Sequence, residues 1–318
     1  MNPRAVIAGG GGFIGYHFVQ LLRHEGFEVV IVDNLATGTQ QNVDELTERN
    51  HCRFVHADVC DPLRIAGPVD YVLNLACPAS PVDFQRIPVD IMTTCAQGTH
   101  NLLELALHKG AHFLQASTSE IYGDPEVHPQ SEAYTGNVNI IGARSVYDEG
   151  KRYAESLAFA YHRKFRVPVH VARIFNTYGP RMRPDDGRVV SNFCTQALRG
   201  QPTTIYGDGQ QTRSFCYVED LVRGLYALMC SEHTGPVNLG NPAEYTILQV
   251  ADLVWELVGR DQQIERRPLL HEDDPRRRRP EITRARELLG WEPCVSLPEG
   301  LRPTMEWFRE QLAREDAA

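Results

Sequence analysis

Three glycines spaced three residues apart constrain the fold of this chain more than any other feature. Gly9, Gly12 and Gly15 come directly after the apolar run 4–8 and stand at the head of a helical pattern. Glycines there permit a tight turn and close approach of the backbone to a pyrophosphate, and the helix N-terminus attracts an anion. A glycine motif alone is weak evidence, but the strand, turn and helix around it favour a dinucleotide-binding unit.

The rest of the first half alternates short apolar runs with longer helical patterns. Such alternation is typical of βαβ units, so the sequence predicts an α/β fold with a doubly wound, Rossmann-like parallel sheet. The predicted strands are 4–8, 28–32, 53–56, 71–75, 113–116 and 167–173, and the predicted helices are 13–25, 89–108 and 147–164.

After residue 173 the pattern loosens into loops rich in Gly, Pro, Asn and Arg, with helical segments at 189–199, 219–230 and 248–258. This change predicts a smaller C-terminal substrate-binding lobe. We expect the NAD-binding domain to cover residues 1–175 and 214–240, and the nucleotide-sugar-binding lobe to cover 176–213 and 241–318.

Composition excludes several classes of partner. The net charge of -9 leaves no broad basic face for nucleic acid. No run of 18 apolar residues indicates a membrane span, and a first strand at residue 4 leaves no room for a signal peptide. The eight cysteines form no CxxC pair and no cluster with His at metal-ligand spacing, which indicates small core residues in a reducing compartment. We therefore expect a cytoplasmic protein without a metal.

Asp33 ends the second predicted strand, 18 residues after Gly15. A carboxylate at this position accepts hydrogen bonds from the adenosine ribose and repels a 2′-phosphate, which favours NAD over NADP. The competing interpretation is that Asp33 and Asn34 form only a turn. Asp58 and Val59 follow the third strand and are expected to lie near the adenine.

Tyr147 and Lys151 form Y-x-x-x-K on one face of a predicted helix. A Lys ammonium, together with a positive nicotinamide ring, would stabilise a phenolate and make Tyr147 a usable base near neutrality. The competing interpretation is a solvated helix face. Upstream, Thr118 and Ser119 end a predicted parallel strand, where ligands of such sheets bind, although a Ser/Thr-rich turn would look the same.

Motifs along essentially the whole chain resemble UDP-glucuronic acid decarboxylases (UDP-xylose synthases) of the extended short-chain dehydrogenase family. Besides the glycine loop they include LACPASP at 75–81, STSEIYGDPEVHPQSE at 117–132, YDEGKR at 147–152, ARIFNTYGPRM at 172–182, DGRVVSNF at 186–193, QTRSFCYV at 211–218, VNLGNP at 237–242 and LLGWEP at 288–293. The resemblance implies a homodimer with tightly held NAD that acts on UDP-glucuronic acid.

In the reaction that this resemblance implies, C4 is oxidised, carbon dioxide leaves from C5, and the ketone is reduced to UDP-xylose, with some release of UDP-4-keto-pentose left open. Tyr147 would be the base for the C4 hydroxyl, Lys151 its electrostatic partner and Thr118 the third hydroxyl. Ser119 and Glu120 would lie at the sugar carboxylate and ring. The expected cofactor contacts are Gly9, Gly12, Phe13, Ile14, Gly15, Asp33, Asn34, Asp58, Val59, Leu75, Ala76, Tyr147 and Lys151.

Substrate phosphates need cations that this acidic chain supplies only locally. Arg278, within the four-Arg run 276–279, best matches a family arginine that reaches the diphosphate or the sugar carboxylate, and Arg277 is the second choice. We expect Arg278 and Glu120 to lie on opposite sides of the sugar. The other expected substrate contacts are Pro78, Asn176, Arg188, Val189, Tyr206 and Arg213.

Two other functions remain open at this point. Sugar 4,6-dehydratases carry Asp-Glu after the catalytic Thr, whereas this chain has Ser119-Glu120, which favours decarboxylation because that step needs no acid for a leaving group. Another nucleotide-sugar enzyme, either a 4-epimerase or a 4,6-dehydratase, and a non-catalytic NAD-binding sensor are the alternatives. Ala8, Tyr16, Asn74 and Cys95 depart from the family pattern near the cofactor.

Overall fold

A seven-stranded parallel sheet forms the centre of the structure, a computed structural model that describes residues 2–268 and 277–317. The strands are β1 (Arg4–Ala8), β2 (Glu28–Asp33), β3 (Arg53–His56), β4 (Tyr71–Asn74), β5 (His112–Thr118), β6 (Val169–Ile174), β7 (Thr177–Tyr178), β8 (Thr203–Tyr206), β9 (Thr212–Ser214), β10 (Cys216–Tyr217), β11 (Pro236–Leu239), β12 (Glu244–Thr246), β13 (Ile264–Arg267) and β14 (Arg277–Arg278). The sheet has the order β11-β6-β5-β4-β1-β2-β3, with every neighbouring pair parallel. The predicted doubly wound sheet is confirmed.

Helices cover both faces of this sheet. They are α1 (Phe13–His24), α2 (Gln40–Asn50), α3 (Pro81–Arg86), α4 (Pro88–Thr93), α5 (Thr99–Lys109), α6 (Ser145–Phe165), α7 (Val189–Leu198), α8 (Val218–Met229), α9 (Ile247–Val258), α10 (Thr283–Leu289) and α11 (Leu297–Asp316). Successive strand residues point to opposite faces, so Ile7 packs with α1 and α8 while Val6 packs with α5 and α6. Within residues 2–268 and 277–317, no helix combines the length and apolar character needed to cross a membrane.

A second core lies beyond the carboxyl edge of the sheet. There α7, α9 and α11 pack around the fully buried ring of Trp255, with Phe193, Ile205 and Phe308. Short strands border this core, with β13 parallel to β8, and with β9 between β12 and β14. This smaller unit brings β9 and β14 toward the ends of the large sheet.

The predicted strands agree with the structure to within two residues at each end. The predicted helix over 89–108 is present as an unbroken run of helical backbone, but it contains a π-helical turn at Thr94–Gly98, between α4 and α5, that was not predicted. A π turn adds one residue to a helical turn, and the spacing of apolar residues does not reveal such an insertion. Strand β11, which extends the large sheet beside β6, is absent from the prediction.

Candidate active site

A cavity of about 1120 Å³ lies at the carboxyl edge of the large sheet, between the strand ends and the smaller unit. Every residue that the sequence analysis expects at the cofactor, the reacting sugar or the nucleotide lines this cavity. They are Gly9, Gly12, Phe13, Ile14, Gly15, Asp33, Asn34, Asp58, Val59, Leu75, Ala76, Pro78, Thr118, Ser119, Glu120, Tyr147, Lys151, Asn176, Arg188, Val189, Tyr206, Arg213 and Arg278. The structure thus brings the set together, and the role of each residue stays a prediction.

The glycine loop is packed so tightly that side chains would not fit. Gly9 has φ +80°, and a Cβ there would lie 2.7 Å from the backbone carbon of Leu75. A Cβ at Gly15 would collide with the carbonyl oxygen of Gly9. Gly12 caps α1 without a side-chain hydrogen bond and lines the cavity. The bare backbone and the helix N-terminus fit the pyrophosphate of a dinucleotide.

The carboxylate of Asp33 belongs both to a turn and to the cavity wall. It accepts the backbone N–H of Leu35 at 2.8 Å, as in an Asx turn, and that of Gly11 at 2.9 Å. The turn that the competing interpretation expected is therefore present, but the same carboxylate also lines the cavity. Beside it, the Asn34 amide donates to Asp58 at 2.8 Å, which joins two strand ends into one wall. These groups fit an adenosine ribose.

Tyr147 and Lys151 are buried near the start of α6, so the interpretation as a solvated helix face is wrong. The Lys151 ammonium donates to the carbonyl oxygen of Ala116 at 2.9 Å and lies 5.7 Å from the centroid of the Tyr147 ring. The Tyr147 ring also stacks on the Phe84 ring, with ring centroids 5.1 Å apart. No motif in the sequence pointed to Phe84.

The pKa of Tyr147 depends on the burial of its phenol as well as on Lys151. Burial is the largest influence and raises the pKa of Tyr147, while Lys151 and the Thr118 hydroxyl lower it, and the net pKa lies above the ordinary value. The expectation of a phenolate near neutrality is therefore not met by Lys151 alone. Burial also lowers the pKa of Lys151, but Cys77 and Tyr147 raise it more, so the ammonium stays charged.

Glu120 is held by two arginines that come from different parts of the chain. Arg278 of β14 binds both carboxylate oxygens, one of them at 3.0 Å, and Arg144 binds at 2.5 Å. Burial raises the pKa of Glu120, but Arg278 and Arg144 outweigh it and hold the pKa well below the ordinary value. We call these three residues the Glu120 cluster. One carboxylate between two guanidiniums carries a net charge of +1.

This contact corrects the expectation that Arg278 and Glu120 lie on opposite sides of a sugar. The two side chains touch, because β14 pairs with β9 at the mouth of the cavity. Arg278 also keeps one buried donor, Nε, without a hydrogen-bond partner among the described residues. Arg277 is exposed, and Arg276 lies outside the described residues. Arg144 was missed because no sequence spacing connects it to Glu120.

The two other arginines expected to bind the substrate phosphates also line the cavity, and each donates hydrogen bonds to a protein group. Arg188 donates to both oxygens of Asp186, at 2.5 and 2.8 Å, at the start of α7. Arg213 donates to the carbonyl oxygen of Thr212 at 2.9 Å and is the register partner of Arg278 across β9 and β14. The sequence analysis overlooked Asp186 as a partner of Arg188, although it lies only two residues away.

The positions that depart from the family pattern have identifiable contacts. Tyr16 donates to Glu45 at 2.7 Å, and Asn74 donates to Thr99 and Gln115 at 3.1 and 3.0 Å. The expectation of core thiols is wrong for Cys230 and Cys294, which are exposed. Cys77 and Cys95 lie together at the cavity, with their Sγ atoms 3.4 Å apart.

Comparison with known proteins covers nearly the whole chain. The family model described as GDP-mannose 4,6 dehydratase matches residues 6–304. UDP-glucuronic acid decarboxylase 2 of Arabidopsis thaliana is 53% identical over 309 residues, which are 97% of this chain and 69% of that protein. UDP-glucuronic acid decarboxylase 1 of Xenopus tropicalis is 51% identical over 316 residues, 99% of this chain and 74% of that protein.

A solved structure with the same fold carries both ligands that the cavity suggests. The UDP-glucuronic acid 4-epimerase of Bacillus cereus, in complex with UDP-glucuronic acid and NAD, superposes with a TM-score of 0.86 at 27% identity, covering 97% of this chain and 99% of that chain. The fold is thus shared with an epimerase, whereas the sequence is much closer to the decarboxylases. The chain belongs to the UDP-glucuronic acid decarboxylase family, within the extended short-chain dehydrogenases.

Proposed function

We propose that this protein is an NAD-dependent UDP-glucuronate decarboxylase that converts UDP-glucuronic acid to UDP-xylose through a C4-keto intermediate. One observation carries the proposal: a single cavity places the buried Tyr147 and Lys151 beside the two guanidiniums of the Glu120 cluster. The first pair suits oxidation of a sugar hydroxyl, and the cluster suits a substrate whose sugar and diphosphate are both anionic.

NAD would be held by the glycine loop at its pyrophosphate, by Asp33 at the adenosine ribose and by Lys151 at the nicotinamide ribose. When bound, it supplies the oxidising power for C4 at the start of the reaction and the reducing power at the end. The Asp33 carboxylate accepts two backbone N–H groups and would repel a 2′-phosphate, which favours NAD over NADP.

Tyr147 would remove the proton of the C4 hydroxyl. Its ring stacks on the Phe84 ring and has the Lys151 ammonium 5.7 Å from its centroid, so its hydroxyl is positioned before substrate arrives. Lys151, anchored to Ala116, lowers the cost of placing negative charge on the phenol oxygen in a buried site. Thr118 would share a hydrogen bond with the same sugar hydroxyl.

Loss of carbon dioxide then requires little from the protein. Once C4 is a ketone, the C5–carboxylate bond breaks and its electron pair moves toward the C4 oxygen, where protonated Tyr147 can donate a hydrogen bond. C5 then takes up a proton from water before C4 is reduced. The Glu120 cluster would hold the departing carboxylate or the diphosphate without a bound metal. Ser119 is a poor acid for expelling a hydroxyl, which disfavours 4,6-dehydration.

Arg144 and Arg278 keep Glu120 ionised, so it acts in this state as a carboxylate and not as a proton donor. Its role would be to steer the distortion of the sugar ring during the reaction, while the two guanidiniums bind the substrate anions. The placement costs substrate affinity, because the carboxylate of Glu120 and that of the sugar repel each other. We therefore assign Glu120 to the chemical step and Arg278 to substrate binding.

We also propose a cytoplasmic location, which rests on the sequence and on the free state of all eight cysteines.

We further propose a homodimer, which the family resemblance implies and an exposed surface supports. Helices α4 and α6 pack on each other and leave Val89, Met92, Tyr153 and Phe165 exposed. Such a two-helix apolar surface would be covered by the same surface of a second copy.

Light scattering should therefore give twice the 35.8 kDa mass of the chain. Val89→Glu should shift the protein toward the mass of one chain, because a charge at this 73% exposed position would be buried without a partner in the dimer. A wild-type protein with the mass of one chain at micromolar concentration would contradict the proposal.

Wild-type protein should release carbon dioxide from UDP-glucuronic acid, and Tyr147→Phe should do so about 100-fold more slowly or worse, the usual scale for a lost base. Tyr153→Phe is the matched control, because this tyrosine lies on the same helix but is half exposed. Binding of UDP should be unchanged in both variants. Normal turnover in Tyr147→Phe would remove Tyr147 from the mechanism.

Variants of the Glu120 cluster should separate binding from chemistry. Arg278→Lys should raise KM about 10-fold or more. An ammonium cannot reproduce the two-point contact of a guanidinium with a substrate anion, and losing a hydrogen bond to a charged group costs about 1.5–3 kcal/mol. Glu120→Gln should lower kcat and leave KM unchanged or lower, because one negative charge leaves the anion site. Arg279→Lys is the control, since Arg279 is half exposed and pairs with Glu244 outside the cavity. If Glu120→Gln changes only KM, its role is in binding.

A further inference from the structure

Two free thiols meet at the catalytic end of the cavity. Cys77 lies in the loop after β4, and Cys95 lies in the π-helical turn between α4 and α5. Their Sγ atoms are 3.4 Å apart, and no disulfide joins them. The decarboxylation proposed above uses neither thiol. π turns recur at functional sites, and this one places Cys95 against Cys77.

The two thiols differ in their access to the cavity. Cys77 is partly exposed and lines the cavity, whereas Cys95 is 2% exposed and lies behind it. A small oxidant that enters the cavity would therefore meet Cys77 first. Cys95 is placed as the second thiol, within reach of whatever forms on the first.

Electrostatics also favours Cys77 as the reactive thiol. The hydrogen bond from Cys95 is the largest influence and lowers the pKa of Cys77; burial opposes it and the Lys151 ammonium assists it. The same hydrogen bond raises the pKa of Cys95. Cys60, another thiol of the cavity wall, differs, because burial and Asp58 raise its pKa to about 11. Cys77 is thus the thiol most readily ionised here.

We propose that Cys77 and Cys95 form an oxidation site, in which peroxide converts the two thiols into a reversible disulfide that slows the enzyme. The Cys77 thiolate attacks one peroxide oxygen, the S–O bond forms, the O–O bond breaks, and hydroxide leaves. The Cys95 sulfur then attacks the sulfenic sulfur, and the oxygen departs with a proton as water. Two thiols lose two electrons, and hydrogen peroxide becomes two waters. A dithiol reductant reverses the change by thiol–disulfide exchange.

The disulfide would disturb the catalytic residues through direct contacts. A disulfide requires the sulfurs to approach from 3.4 Å to about 2.05 Å, so one or both segments must move. Cys77 packs against the cluster of Phe84, Ile91 and Tyr147. Cys95 packs against Gly150, where a Cβ would lie 3.1 Å from its sulfur, directly before Lys151. The disulfide also removes the thiolate that keeps the pKa of Lys151 high.

The test is to treat the purified enzyme with hydrogen peroxide, alkylate the remaining thiols and map the peptides by mass. We expect a Cys77–Cys95 linked peptide, a fall in carbon dioxide release of about 10-fold, the scale of a misplaced catalytic group, and recovery with dithiothreitol. Cys95→Ser should abolish the linked peptide and the reversible loss. The control Cys230→Ser/Cys294→Ser, which removes the two exposed thiols, should retain both.

The peptide mass does not depend on the substrate, whereas the loss of turnover rests on the proposed function, so the two can fail separately. Oxidation confined to Cys230 and Cys294 would overturn the proposal. A linked peptide with unchanged turnover would overturn its effect on catalysis. The linked peptide is sought in the wild-type protein. The proposal can therefore be tested even if Cys95→Ser folds poorly.

Discussion

The buried ion pair between Glu120 and Arg278 joins the two parts of the molecule at the catalytic end of the cavity. Glu120 follows the central strand β5, and Arg278 lies on β14 of the smaller unit. A buried charge that loses its partner costs about 3–5 kcal/mol, so Glu120 requires a cation beside it, and Arg278 requires Glu120 or a substrate anion. Arg144 adds a second guanidinium to the same carboxylate. The shape of the substrate end therefore depends on this cluster.

Sheet topology explains why chemistry from distant segments meets there. All seven strands are parallel, so their carboxyl ends lie along one edge, and the glycine loop, Asp33 and Thr118 follow three of them. The glycine loop packs against Leu75 so closely that only bare backbone fits, which fixes the cofactor end. An acidic chain thus gains a local positive site without becoming basic overall.

Much of this arrangement could be predicted because it depends on local spacing. The glycine loop, Asp33 and the Tyr147–Lys151 pair are each defined within a short stretch, and alternation of apolar runs located six strands of the sheet. Contacts between stretches could not be predicted in this way. Arg144 and Arg278 reach Glu120 from 24 and 158 residues away, and no periodicity encodes that meeting.

The π turn illustrates a second limit. The backbone stays helical through this turn, so the sequence pattern indicated one helix and gave no sign that Cys95, within the turn, contacts Cys77. The pKa of Tyr147 is a third case: helical spacing predicted the partner Lys151 but carried no information on how deeply the phenol is buried.

The proposed reaction removes the sugar carboxylate after oxidation at C4, a step that a 4-epimerase with the same fold does not take. UDP-glucuronic acid carrying carbon-13 only in the carboxylate, followed by NMR during incubation with the purified protein, distinguishes the two reactions. The label should leave as carbon dioxide and bicarbonate while unlabelled UDP-xylose, with or without UDP-4-keto-pentose, accumulates. Label retained in a UDP-hexuronic acid epimeric at C4 would contradict it.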